Sequence, residues 1–174
     1  MTKTDFELVV YERQAMVYSI AYNFFRNSAV AEEVAQDVFL QLYENRDAVE
    51  SGPHCVAWLR RTTIHRCIDT WRRSSLRHEV HVDELPDVAA ESSESDPLLL
   101  DKLGRLIASL PEKQRSVLVL RYGEDMEVAE ISSTLQMPLR TVWSHLQRAI
   151  ALIREKVTPY LKEKNNESVR ARSS

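Results

Sequence analysis

The 174-residue sequence predicts an all-α protein of two small helical domains joined by a flexible acidic linker. Three observations predict this class. Apolar residues recur at helical spacing in long runs. Only three glycines (Gly52, Gly104 and Gly123) are present, too few for the tight turns of β-hairpins. Charge is also segregated: residues 1–74 carry nine Lys/Arg against ten Asp/Glu, residues 75–97 one against seven, and residues 98–174 thirteen against nine. The boundaries that follow are a first domain over 1–76, a linker over 77–97, a second domain over 98–163 and a disordered tail over 164–174.

The elements can be justified in order. "QAMVYSIAYNFFRN", from Gln14, is a helix apolar enough to be buried on much of its surface. "SAVAEEVAQDVFLQLYEN" follows, with Ser28 suited to the N-cap and Glu32 and Glu33 to the first turn. Its apolar stripe is Ala31, Val34, Ala35, Val38, Phe39 and Leu42, with Glu33, Gln36, Asp37, Leu40 and Glu44 opposite. Gly52-Pro53 breaks the chain, and a third helix begins near Val56 and runs through "WLRRTTIHRCIDTWRRS". The strip His81–Pro97, rich in acid and serine and without helical period, reads as the linker. Beyond it "LLLDKLGRLIASL" is helical up to Pro111, and "PEKQRSVLVLRYGED" starts on proline and stops at Gly123. "MEVAEISSTL", the turn "QMP" and "LRTVWSHLQRAIALIREKV" complete the second domain.

Several function classes are disfavoured. No apolar run approaches the roughly 18 residues of a membrane span, and "MTKTDFELVV" lacks the basic start and apolar core of a secretory signal. A cytoplasmic protein is expected. Cys55 and Cys67, with His54 and His65 nearby, match no compact zinc pattern, so free thiols and no metal are expected. No phosphate loop or nucleophile–base spacing points to an enzyme or a cofactor.

Two surfaces carry chemistry. Between Trp58 and Arg77 lie Arg60, Arg61, Arg66, Arg72, Arg73 and Arg77 against the single acid Asp69, interleaved with Trp58 and Trp71. Guanidinium groups attract phosphates and aromatic faces stack on unpaired bases. The same pattern fits a solvated basic face with its tryptophans turned to the core. Second, "EVAEISSTL-QMP-LRTVWSHLQRAI" has the layout of a helix-turn-helix. Leu139, Val142, Leu146, Ala149 and Ile153 form the apolar stripe of its second helix, and Arg140, Ser144, Gln147, Arg148 and Ala151 lie opposite. Trp143 falls on the flank, either packed at the edge of the core or with its rim on a thymine methyl in the groove.

Taken together, these segments resemble the sigma-70 family of bacterial RNA polymerase initiation factors, in its small extracytoplasmic-function class. The likeness runs from about Tyr11 to about Leu161. "AYNFFRNSAVAEEVAQDVFLQLYEN" is similar to the polymerase-binding segment of region 2, and "AWLRRTTIHRCIDTWRR" to its −10 element segment. "LIASLPEKQRSVLVLRYGEDMEVAEISSTLQMPLRTVWSHLQRAI" is similar to region 4. The resemblance implies that Glu33, Gln36, Asp37, Leu40 and Glu44 dock on core RNA polymerase. It implies that the loop from Asn45 to His54 captures a flipped base, with Arg61, His65, Arg72 and Arg73 holding the melted −10 strand. It places Arg140, Thr141, Trp143, Ser144, Gln147 and Arg148 on the −35 element. A dedicated anti-sigma factor is the further partner it implies. The acidic linker is expected to shield the basic surfaces in the free protein. His65 stands where the family often has asparagine, and Trp143 and His145 stand where Lys or Arg is usual, so the promoter sequence read should differ. Two other readings fit the residues alone: a helix-turn-helix regulator with a sensing or dimerising first domain, and an antagonist that binds protein only.

Overall fold

The structure, a computed structural model, describes residues 1–49, 52–77 and 97–172. Most of the linker and the centre of the loop expected to capture a base therefore lie outside the described residues. Those described form seven α-helices and no strand.

Helix α1 spans Lys3–Phe25, α2 Ser28–Glu44 and α3 Pro53–Arg77. α1 begins well before Gln14, because Thr2 and Asp5 cap it reciprocally: the Asp5 amide donates to Thr2 Oγ1 and the Thr2 amide to the Asp5 carboxylate. Arg26 ends it in the left-handed region at φ 52°. Asn27, rather than Ser28, caps α2, its Oδ1 accepting from the Val30 amide at 3.0 Å. That two-residue corner turns α2 back along α1. Val17, Ile20 and Phe24 of α1 then bury against Val34, Val38 and Leu42 of α2 and Leu59 and Ile64 of α3.

The second unit comprises α4 Pro97–Ala108, α5 Glu112–Leu118, α6 Val128–Leu135 and α7 Leu139–Arg172. α5 widens into a π-turn over Val119–Gly123. Gln136, left-handed at φ 52°, closes α6, and Ser132 Oγ donates to the Met137 carbonyl at 2.6 Å across the following turn. Val142, Leu146 and Ala149 of α7 bury with Ile131 and Leu135 of α6, as the apolar stripe requires. Two expectations change. Leu139 is 49% exposed, because it stands at the first helical position, ahead of the crossing with α6. α7 also continues to Arg172, through residues read as a disordered tail.

The two units share one continuous core. Gly104 is buried on α4 where an added Cβ would lie 2.5 Å from Arg26 Nε, so only glycine lets that guanidinium cross the helix toward Asp101, 3.6 Å away. Arg115 is the centre of the join. Only 1% exposed, it donates to the carbonyl of Phe24 in α1 at 3.2 Å and to that of Leu110 at 2.8 Å. Its guanidinium stacks 4.0 Å from the Trp71 ring and 4.7 Å from that of Phe24. Burial pushes its pKa down to about 10, so it stays charged at neutral pH.

Candidate polymerase and nucleic-acid surfaces

The outer face of α2 presents Glu33, Gln36, Leu40 and Glu44 to solvent, with Leu40 56% exposed. An exposed leucine among acids fits a docking face, since it contributes nothing to the core. This face continues into an apolar groove that sequence reasoning missed. Phe6, Val10 and Tyr18 of α1 line it opposite Ala35, Phe39 and Tyr43 of α2. Phe6 meets Tyr43 edge to face, with ring centroids 5.3 Å apart. The signal was the apolar spacing in "DFELVVYERQ", which became legible only once Thr2 was known to start the helix.

Asp37 stands apart from the docking set. It forms an ion pair with Arg66 of α3, whose Nε donates to it at 2.9 Å, so its carboxylate braces α2 against α3.

On α3 the expected strand-binding residues divide. Arg61 and Arg73 are exposed, and Arg73 Nε donates to the Asp69 carbonyl at 3.3 Å. Trp58, Arg61, Thr62 and His65 line a cleft with Gln41 of α2. His65 Nε2 lies 3.0 Å from the Thr134 carbonyl of α6; a carbonyl only accepts, so this nitrogen carries the proton. Arg72 grips Glu112 of α5 with Nε 3.1 Å from both carboxylate oxygens and Nη2 2.7 Å from one of them. That hydrogen bond and the charge of Glu112 raise the Arg72 pKa. Arg60 Nε donates to Glu124 at 3.1 Å. Trp71 lies beneath Arg115, so of the two tryptophans only Trp58 borders the cleft. Asn45 caps α2, its Nδ2 donating to the Gln41 carbonyl at 2.8 Å.

On α7, Arg140, Gln147 and Arg148 are exposed and Thr141 and Ser144 half-buried. Trp143 is 48% exposed, on the flank of the apolar stripe, half covered by the domain and half open to solvent. The inner side takes His145, whose Nδ1 is buried without a partner. Burial, then the charges of Lys113 and Arg148, hold its pKa below the ordinary value.

Cys55 and Cys67 are buried free thiols, each with its pKa raised by burial. Among the described residues no group of three or more His, Cys, Asp or Glu is placed to hold a metal ion, and no helix is long and apolar enough to cross a membrane.

Comparison with known proteins places both units. Residues 10–77 match the family described as Sigma-70 region 2, and residues 100–153 that described as Sigma-70, region 4. The chain is 31% identical over 153 residues to an RNA polymerase sigma-E factor of Streptomyces avermitilis, spanning 88% of this chain and 85% of that one. It is 28% identical over 158 residues to the ECF RNA polymerase sigma factor SigW of Bacillus subtilis, spanning 81% and 82%. The fold resembles the sigma factor RpoE solved with the anti-sigma factor NepR from Bartonella quintana, at TM-score 0.69 and 18% identity over 88% of this chain and 97% of that one. It also resembles CnrH solved with the cytosolic domain of CnrY, at TM-score 0.66 and 19% identity over 91% and 90%.

Proposed function

The chain belongs to the sigma-70 family of RNA polymerase factors, and from that premise we propose that it is an extracytoplasmic-function sigma factor that directs promoter-specific initiation. The observation that carries this reading is the pairing, in one chain, of a solvent-facing acid-and-leucine face on α2 with an outward helix-turn-helix. Glu33, Gln36, Leu40 and Glu44, extended by the groove against α1, dock on core RNA polymerase. Asp37 contributes by fixing α3 relative to that face. Asn45, Arg61, His65, Arg72 and Arg73 hold the melted −10 strand. Arg140, Thr141, Trp143, Ser144, Gln147 and Arg148 enter the −35 major groove. The domains are region 2 over residues 1–76 and region 4 over residues 98–163. The protein performs no chemistry of its own and acts where the polymerase is, in the cytoplasm. The solved RpoE carries the anti-sigma factor NepR, and an anti-sigma factor is the regulator expected here.

Transcription in vitro with core polymerase and this protein alone tests the proposal: promoter-dependent transcripts are expected, and binding to duplex DNA without any transcript would favour a simple helix-turn-helix regulator. Gln36→Ala with Leu40→Ala should weaken core affinity by about 1–3 kcal/mol with the fold intact, as loss of exposed anchors does. Unchanged affinity in a core titration would remove α2 as the docking face.

A further inference from the structure

We propose that the cleft between α2 and α3 is a reading pocket for one unpaired guanine of the melted strand, with Asp69 and Arg61 as its two recognition groups. The inference rests on the proposed role of α3 in holding that strand. It adds which base the helix selects and which residue, Asp69, selects it.

The sequence sets one wall of the pocket. Trp58, Arg61, Thr62, His65 and Asp69 stand at i, i+3, i+4, i+7 and i+11, so one face of α3 carries all five. Gln41 of α2 lines the cleft with them, and the space is about 350 Å³, within the roughly 300–1,000 Å³ of small-molecule sites. The fold holds two of the lining residues: Arg66 is paired with Asp37, and His65 meets the Thr134 carbonyl. Trp58 is half-buried, packed against the core yet bordering the cleft, and offers a planar base a surface to stack on.

Asp69 is the one acid between Trp58 and Arg77, among six arginines, and it lines the cleft. A face that only held phosphates would gain nothing from a carboxylate, which repels the strand; a base edge with N–H donors would. Both Arg61 and Asp69 are exposed, and among the described residues neither side chain is in a hydrogen bond. Asp69 feels the charge of Arg72 without bonding to it. Arg61 and Asp69 lie about 12 Å apart along the axis at 1.5 Å per residue, which leaves room for a base between their heads. A carboxylate presents two acceptor oxygens side by side, and a guanidinium presents parallel donors. Guanine is the base with a fork to match each: N1–H and the N2 amine for Asp69, O6 and N7 for Arg61. Adenine and cytosine offer a carboxylate one amine each, and the single N–H of thymine lies between two carbonyls. The edge that Asp69 reads is covered in a duplex, so the pocket takes its base only from opened DNA.

The test uses the holoenzyme assembled from core polymerase and the full chain. Single-stranded thymidylate nonamers with one central guanine, inosine or adenine compete against a labelled strand. The guanine strand should bind about tenfold tighter than the adenine strand, and tighter than the inosine strand, whose base lacks the N2 amine. Asp69→Asn keeps the size of the side chain and exchanges one acceptor oxygen for a donor amine. It should erase the preference for guanine over inosine and turn the choice toward adenine, whose edge an amide matches. A folding fault would weaken all three strands alike. Equal binding of the three by the parent, or a guanine preference that survives Asp69→Asn, overturns the pocket and leaves α3 holding the strand through its phosphates. Arg73 is exposed on α3 outside the cleft. A holoenzyme with Arg61→Ala and Arg73→Ala that opens promoter DNA at the parental rate would instead overturn the role of α3, and the pocket with it.

Discussion

Along α3, Arg60, His65 and Arg72 face acceptors supplied by region 4; along α7, Arg140, Gln147 and Arg148 face solvent. In the sequence both helices show the same signature of arginines, a histidine and tryptophan spaced over a helix. The difference lies in what packs against them. Glu112 stands 40 residues from Arg72, and Glu124 64 residues from Arg60. The pattern of a basic face states what it attracts, and the fold decides which acceptor occupies it first.

The strongest way to break this contrast is to remove what joins the halves. Arg115→Ala leaves the Phe24 and Leu110 carbonyls without their donor and a void between the Phe24 and Trp71 rings. A loss of about 3–5 kcal/mol is expected, the range for emptying a buried charged network. In a thermal melt this is a fall of roughly 10 °C, with the two units unfolding in separate steps. A single transition at the parental temperature would show that Arg115 does not bind the units together.

The second test asks whether the α7 face is as free as its exposure implies. Trp143 is 48% exposed, so Trp143→Ala should change stability by no more than about 0.5 kcal/mol. It should cost about 1–3 kcal/mol of −35 affinity if the indole touches base edges. The opposite outcome, a lowered melting temperature at unchanged promoter preference, would place Trp143 at the edge of the core.

Much of the architecture was legible in the chain. The apolar stripe of α2, the Pro111 start and the "QMP" turn each follow from local rules, and each lies where those rules place it. The N-terminal two turns of α1 were not legible, because their cap is a single Thr2–Asp5 exchange before a weakly patterned stretch. Leu139 aside, exposure on α2 and α7 followed the helical wheel. Asp37, His65 and Arg72 did not, since each is fixed by a partner on another element. A wheel sorts side chains by direction and carries no information about what stands there. The distinction is measurable at Asp37. Asp37→Ala should cost about 1 kcal/mol of stability through the lost Arg66 tie, whereas Gln36→Ala, one position earlier and exposed, should cost about nothing in urea unfolding. Equal effects would mean that α3 is positioned by its apolar contacts alone.

The smallest expected effect probes the inner side of α7. His145 is half-buried with Nδ1 unpartnered, and burial together with Lys113 and Arg148 holds its folded pKa below the ordinary 6.5. The folded protein therefore resists the proton that the unfolded chain accepts. Below about pH 6.5 the unfolded state binds more protons and stability falls, until the folded form is protonated too. His145→Gln removes the titrating group, so its stability should decline less than the parent's between neutral pH and that lower limit. Parallel decline in urea unfolding at both pH values would show that His145 titrates alike in both states. Because Arg148 is one of the cations that depress it, a phosphate bound at Arg148 should raise the His145 pKa. DNA seated on the free face of α7 would then be felt at the half-buried imidazole, whereas Arg60 and Arg72 of α3 already sit beside carboxylates and their neighbours would sense no comparable change on binding.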